Sequence, residues 1–260
     1  MMDEVLVERH DGWRTLILNR SARLNAINIP MLDQLLAAID AAEADATCRA
    51  LVLTGAGRGF CAGQELGADV TPGPHGPPDL QALADRHHHE VVRRMRASRL
   101  PFICSVNGVA AGAGASFALA GDIVLAGRSA MFVQAFIRIG LVPDSGASFF
   151  LTHLIGDARA RALAMLGDAI DADTAERWGM IWKAVDDSAL QAETTALAVR
   201  LAKAPAQALA AIKVMFAAAA RNTLDQQLDL EAKLQGDAGR SADFAEGVRA
   251  FQDKRAPRFQ

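Results

Sequence analysis

The chain has 260 residues, 51% of them hydrophobic, which suits one large domain or a main domain with an appendage and a sizeable core. Its 27 Lys and Arg against 30 Asp and Glu leave a formal charge of -3, which argues against a nucleic-acid binder with a wide basic field. Cys48, Cys61 and Cys104 are too few and too scattered for a disulfide framework or a Cys-x-x-Cys metal site, so a reducing, cytoplasmic setting is expected.

From Met1 to Arg9 there is no apolar run of the signal-peptide kind, and no uninterrupted apolar stretch of about 18 residues follows, so neither export nor a membrane partner is expected. Val5 and Val7 alternate with polar neighbours, His10-Asp11-Gly12 supplies turn chemistry, and Thr15 to Leu18 resumes an apolar run, which predicts a β-hairpin. Asn28-Ile29-Pro30 marks a helix start, with Met31, Leu32, Leu35, Leu36 and Ile39 at helical spacing. Ala50 to Thr54 is a short buried-strand run that passes into glycines at 55, 57 and 59. The prolines and glycines from Val70 to Pro78 predict a surface loop, followed by a charged helix over 79–98.

A second buried-strand run, Phe102 to Val106, again meets a glycine-rich turn, from Asn107 to Ala115, and Ile123-Val124-Leu125 is a third. Beyond Gly146 helical patterns dominate, interrupted by Ile181 to Val185. The Ala-, Leu-, Glu- and Arg-rich tail from about Ala196 predicts consecutive helices. Recurring strand-turn-helix units in the first part point to an α/β architecture.

Each glycine-rich turn leaves a strand and enters a helix, where backbone N–H groups lie free for an anion or a developing oxyanion. The first reads Arg58-Gly59-Phe60-Cys61-Ala62-Gly63-Gln64-Glu65-Leu66 and the second Asn107-Gly108-Val109-Ala110-Ala111-Gly112-Ala113-Gly114-Ala115. With Gly140-Leu141-Val142-Pro143-Asp144-Ser145-Gly146 and the tail Ser241-Ala242-Asp243-Phe244-Ala245-Glu246-Gly247, they resemble the crotonase, or enoyl-CoA hydratase/isomerase, superfamily. The resemblance runs nearly end to end. It implies a spiral of β-β-α units of the ClpP/crotonase-like kind over residues 1–195. It further implies a C-terminal helical trimerisation region over 196–260, with trimers commonly paired as hexamers.

By that resemblance the thioester carbonyl of an acyl-CoA substrate sits on the backbone N–H groups of Gln64 and Ala113, an oxyanion hole worth roughly 3 kcal/mol to an enolate. Arg23, Ala26, Ala62 and Leu66 fall in segments that contact CoA, with Arg23 a partner for its phosphates. Family hydratases carry two glutamates that handle water, and those positions hold Ser116 and Phe136, which line the substrate site instead. Asp144 stands where family isomerases often carry a carboxylate. It is the expected proton shuttle, its pKa raised by an apolar pocket drawn from Ala135, Phe136 and Val142. The same residue also suits a plain Pro-Asp-Ser-Gly turn. Within the superfamily the chain is similar above all to the ring-epoxide phenylacetyl-CoA isomerases of bacterial phenylacetate breakdown, which turn a ring-epoxide thioester into an oxepin. Glu65 replaces the aspartate usual in that group. No cofactor is expected, CoA being part of the substrate.

Other signals fit less well. His87-His88-His89 are consecutive, and on a helix their side chains point about 100° apart, so no metal site is expected. Gly114 to Ala118 approximates a nucleophile elbow without its final glycine, with Ser116 and His153 as a conceivable serine thioesterase pair. Asp122 reads as structural. An enoyl-CoA hydratase and a non-catalytic acyl-CoA-binding scaffold are the remaining alternatives, the latter resting on the missing glutamates.

Overall fold

The computed structural model describes residues 3–67, 70–72 and 76–260; Met1 and Met2 of the N-terminal stretch, and 73–75 of the expected 70–78 loop, lie outside them. The hairpin forms from β1 (Val5–His10) and β2 (Trp13–Leu18), with Gly12 at φ 79° in its turn. Helix α1 (Ile29–Glu43) begins where the Asn28 side chain accepts the Met31 N–H at 2.9 Å, and its Met31, Leu32, Leu35 and Ile39 are buried as the spacing predicts. Next come β3 (Ala50–Gly55) and β4 (Gly59–Cys61).

The charged helix expected over 79–98 is α2 (Leu80–Leu83), a π-helical turn (Ala84–His88) and α3 (His89–Ala97) in succession. After it run β5 (Phe102–Val106), β6 (Val109–Ala111), α4 (Ala113–Leu119), β7 (Ile123–Gly127) and β8 (Met131–Val133). A 3-10 turn at Ala135–Ile139 leads to α5 (Ala147–Ile155), α6 (Asp157–Leu166), β9 (Ala169–Asp171), α7 (Ala172–Arg177) and β10 (Lys183–Val185). The tail is helical: α8 (Leu190–Ala202), α9 (Ala206–Ala219), α10 (Leu224–Gly239) and α11 (Ala242–Gln252).

The strands form a six-stranded sheet in the order β1-β2-β3-β5-β7-β10, parallel apart from the hairpin, and a four-stranded sheet in the order β4-β6-β8-β9. Successive residues point to opposite faces of the larger sheet, and both faces are covered. Leu16, Leu51, Leu53, Phe102, Cys104 and Val124 face the main core with α1, α3 and α4, whereas Trp13, Val52, Ile103 and Leu125 pack against Leu190, Leu197 and Ala198 of α8. In the sequence β4 and β6 read as glycine-rich turns. They are three-residue strands, too short for a period-2 pattern to show, and they pair in parallel through Gly59 with Val109 and Cys61 with Ala110.

Helix α9 is tied to the sheet by charge. Lys213 Nζ lies 2.7 Å from Asp122 Oδ2 and donates to the Leu100 carbonyl at 2.7 Å, while Asp122 also accepts the Phe102 N–H at 2.8 Å. The structural reading of Asp122 stands on these bonds.

Candidate active site

Two backbone N–H groups have no acceptor among the described residues where the sheets meet α4. Ile27 and Gln64 form a parallel bridge that uses the Ile27 N–H to Gly63 and the Glu65 N–H to Ile27, both 2.8 Å, so the Gln64 N–H points the other way. Ala113 is the first residue of α4, where no intrahelical carbonyl is within reach of its N–H. Gly63, at φ 89°, brings the two turns together: a Cβ there would stand 2.8 Å from the Ala111 carbonyl oxygen and 3.7 Å from the Ala113 nitrogen. Gly114 does the same for α4 and β4, since its Cβ would meet the Cys61 oxygen at 2.3 Å. Burial pushes the Cys61 thiol up to about 12, so it has no nucleophilic part.

Asp144 reaches this region on a tight turn before α5. Its carbonyl accepts the Ala147 N–H at 2.9 Å and the Ser116 hydroxyl at 3.1 Å, and its Oδ1 accepts the Ser145 hydroxyl at 3.0 Å. Ser145 is buried at φ 52° and Gly146 follows at φ 81°, so the Pro-Asp-Ser-Gly turn and the candidate carboxylate are one feature. Asp144 itself is half-buried. The expected apolar pocket is only partly there. Phe136 is buried with its ring edge 3.7 Å from where a Gly112 Cβ would be, but Val142 is 78% exposed on the segment that follows the left-handed Gly140.

Ser116 is fully buried, and the one hydrogen of its hydroxyl is shared between two carbonyl oxygens, of Gly112 at 3.2 Å and Asp144 at 3.1 Å. His153 spends its Nδ1 on the Phe149 carbonyl at 2.8 Å. Among the described residues no base bonds to the serine, and Ser116 and His153 are not paired.

The three consecutive histidines diverge, as helical geometry requires. His87 Nδ1 lies 3.2 Å from Asp33 and His89 Nδ1 lies 3.0 Å from Asp85, while His88 turns inward, 2% exposed, with Nε2 2.9 Å from Gln64 Oε1. Burial lowers the His88 pKa below its ordinary value, partly opposed by the field of the Asp144 carboxylate and by the Leu83 carbonyl. In the sequence His88 offers itself only as a metal ligand, because the partner it meets here is 24 residues away.

The segments expected to meet CoA lie side by side. Asn25, buried at φ 56°, donates to the Gly59 carbonyl at 2.8 Å, and the Ala62 N–H donates to Leu24 at 2.9 Å. Ala26 and Ala62 are half-buried, Leu66 is 60% exposed, and the Arg23 side chain is 72% exposed, 3.9 Å from Glu65. Glu65 also accepts Arg20 Nη2 at 2.7 Å, so the extra methylene relative to aspartate is absorbed by an ion pair.

A mainly parallel two-sheet spiral, with a pair of N–H groups that have no acceptor among the described residues at the mouth of a buried helix, defines an α/β protein of the crotonase type. The chain belongs to the enoyl-CoA hydratase/isomerase family, whose sequence profile matches residues 8–260. It is 50% identical over 260 residues, covering 100% of this chain and 99% of the other, to the 1,2-epoxyphenylacetyl-CoA isomerase of Escherichia coli K12. It is 44% identical over 252 residues, 97% and 96% of the two chains, to a protein of Rhodobacter capsulatus named "Probable enoyl-CoA hydratase". The crystal structure of an enoyl-CoA hydratase from Polaromonas sp. JS666 superposes with a TM-score of 0.92 at 32% identity, covering 98% of this chain and 99% of that one. The chain is thus an enzyme of this family, and the residues, rather than the names, have to separate isomerase from hydratase.

Proposed function

We propose that this enzyme is an acyl-CoA isomerase in which Asp144 moves a proton on an acyl chain whose thioester carbonyl rests on the N–H groups of Gln64 and Ala113. The observation that carries this reading is the exchange of carboxylates. Both positions where hydratases of the family hold a glutamate are occupied by groups without acid/base capacity, buried Ser116 and buried Phe136, while Asp144 is bonded to that same serine. Removing the proton next to the thioester carbonyl leaves an enolate, its charge on the oxygen between the two N–H groups. Protonation at a new carbon, with Asp144 returning the proton, completes an isomerisation with no net gain of atoms or electrons. Such a step calls for no metal or redox cofactor.

The substrate class is an enoyl-CoA or a ring-epoxide phenylacetyl-CoA, the second supported by the 50% identity to the Escherichia coli isomerase. Arg23 lies free enough to meet a CoA phosphate beside Ala26, Ala62 and Leu66. A homotrimer or a hexamer of two trimers is supported by the apolar side chains that α9 and α10 leave exposed, Val214 at 55%, Phe216 at 69% and Leu228 at 51%. The three buried, unpaired cysteines suit the cytoplasm.

The test is to incubate the protein with a β,γ-enoyl-CoA and with the ring-epoxide thioester, separate the products and weigh them, with Asp144→Asn alongside. A product of unchanged mass, absent from the variant, supports the isomerase. Gain of water or release of free CoA would overturn it in favour of a hydratase or thioesterase. Tight binding without conversion would favour a scaffold.

A further inference from the structure

His88 is the one histidine of the triplet that the fold draws inside, and its bond to Gln64 points to the nitrogen that carries its proton. Gln64 Nε2 donates to the Glu65 carbonyl at 3.2 Å, which turns Oε1 toward His88 Nε2 at 2.9 Å. An amide oxygen is an acceptor only, so Nε2 must hold the hydrogen. The other tautomer would set two acceptors face to face, and flipping the amide would set its oxygen against the Glu65 carbonyl instead. Nδ1 is then a buried lone pair that makes no well-formed hydrogen bond among the described residues, and the Leu83 carbonyl is the acceptor that an Nδ1–H would turn to in the competing tautomer. The imidazole is delivered by the π-helical turn, a local insertion that is costly and frequent at functional sites, and His88, Val91 and Met95 form the buried stripe that follows it.

We propose that His88 is a positioning residue for the oxyanion hole: as the neutral Nε2–H tautomer it clamps the Gln64 side chain, and through it the aim of the Gln64 backbone N–H. This rests on the oxyanion role proposed above for Gln64. The side chain and the N–H belong to one residue, held on its other side by the Ile27 bridge, so a side chain free to swing would loosen the donor. Burial holds the imidazole neutral, and the neutral ring has only one N–H to give.

The test uses the full-length enzyme with four changes: His88→Leu, His88→Gln, Gln64→Met and the double variant His88→Leu/Gln64→Met. Misaiming a donor forfeits part of its worth, so His88→Leu and Gln64→Met should each lower kcat about 10- to 100-fold, with KM within about threefold. His88→Gln, which keeps an N–H, should recover most of the loss, and the double variant should be no slower than the worse single. Full kcat in both single variants, or losses that multiply in the double, would overturn the proposal. A wild type that turns over no thioester would sink the isomerase reading without deciding this one. The ¹⁵N spectrum of the His88 imidazole then does so: an Nε2–H tautomer that becomes mixed in Gln64→Met supports the clamp, and an Nδ1–H tautomer in the wild type refutes it.

Discussion

The Ser116 hydroxyl lies 3.1 Å from the carbonyl oxygen of Asp144, so the first turn of α4 and the turn that carries the candidate base are joined by a partly buried hydrogen bond, its donor shared with the Gly112 carbonyl. The donors and the carboxylate therefore share a frame: Ala113 opens the helix on which Ser116 sits one turn later. Ser116→Ala removes the donor from a carbonyl that is otherwise bonded only within its own turn. A stability loss of about 1–2 kcal/mol is expected, with kcat falling roughly tenfold as Asp144 loosens. Thermal unfolding and turnover on a β,γ-enoyl-CoA measure both. A serine-hydrolase probe should not label the wild type.

Asp144→Asn separates chemistry from architecture. The side chain is half-buried and, among the described residues, accepts only the Ser145 hydroxyl, a bond the amide oxygen can keep. Isomerisation should drop by about 10²–10⁴ in kcat, with thioester affinity and melting temperature close to wild type. Binding by titration calorimetry alongside turnover shows whether the loss is confined to kcat.

Gly63→Ala attacks both turns at once. The residue sits at φ 89°, and the added methyl would press on the Ala111 carbonyl at 2.8 Å. Strain of at least about 1–3 kcal/mol is expected, lowering Tm by several degrees, and the Gln64 and Ala113 donors should part. Gly59→Ala is the milder control, since its methyl would meet the flexible Leu24 side chain at 3.3 Å.

Acid should unsettle the protein in two distinct windows. The folded pKa of His88 is depressed by burial, so between that value and the ordinary 6.5 the unfolded chain binds more protons, and stability rises with pH. Its contribution is complete above pH 6.5 and is lost as pH falls through the depressed value. Urea unfolding at pH 7.5 and pH 5 should therefore show a larger acid loss in wild type than in His88→Gln. Glu246 behaves as a carboxylate held low, to about 2, by the Arg255 guanidinium and the Arg258 N–H. Its hold on the last residues persists above its ordinary 4.5 and goes as pH falls toward 2. The Arg258 amide resonance, followed from pH 6 downward, should move with a midpoint near the lower figure.

Arg23 is exposed and only loosely paired, at 3.9 Å from Glu65. Arg23→Ala should raise KM for an acyl-CoA about three- to tenfold and leave kcat alone, because a surface contact to a phosphate is worth roughly 1 kcal/mol. The effect should shrink at high salt.

The hairpin at Val5 to Leu18, the helix opened by Asn28 and Pro30, and the buried strands at Ala50, Phe102 and Ile123 were legible because their signals are local: alternation, helical spacing, a cap. So was the family, through motifs in which glycine is required where backbones touch, as at Gly63 and Gly114. Hidden from a linear reading were the small second sheet, whose three-residue strands are defined only by their partners, and the outward course of Val142, set by the turn at Gly140.

The chain's own order of residues determined the α/β class and the presence of two free-donor turns, because backbone geometry at glycines and helix starts is a property of a few neighbouring residues. Only the tertiary structure decided that Ser116 bonds to the Asp144 carbonyl, that one histidine of three turns inward, and that it meets Gln64 across the helix–sheet boundary. The physical reason is that a hydrogen bond spanning 24 or 28 residues leaves no trace in spacing; it exists only once packing has brought its two ends within 3 Å or so.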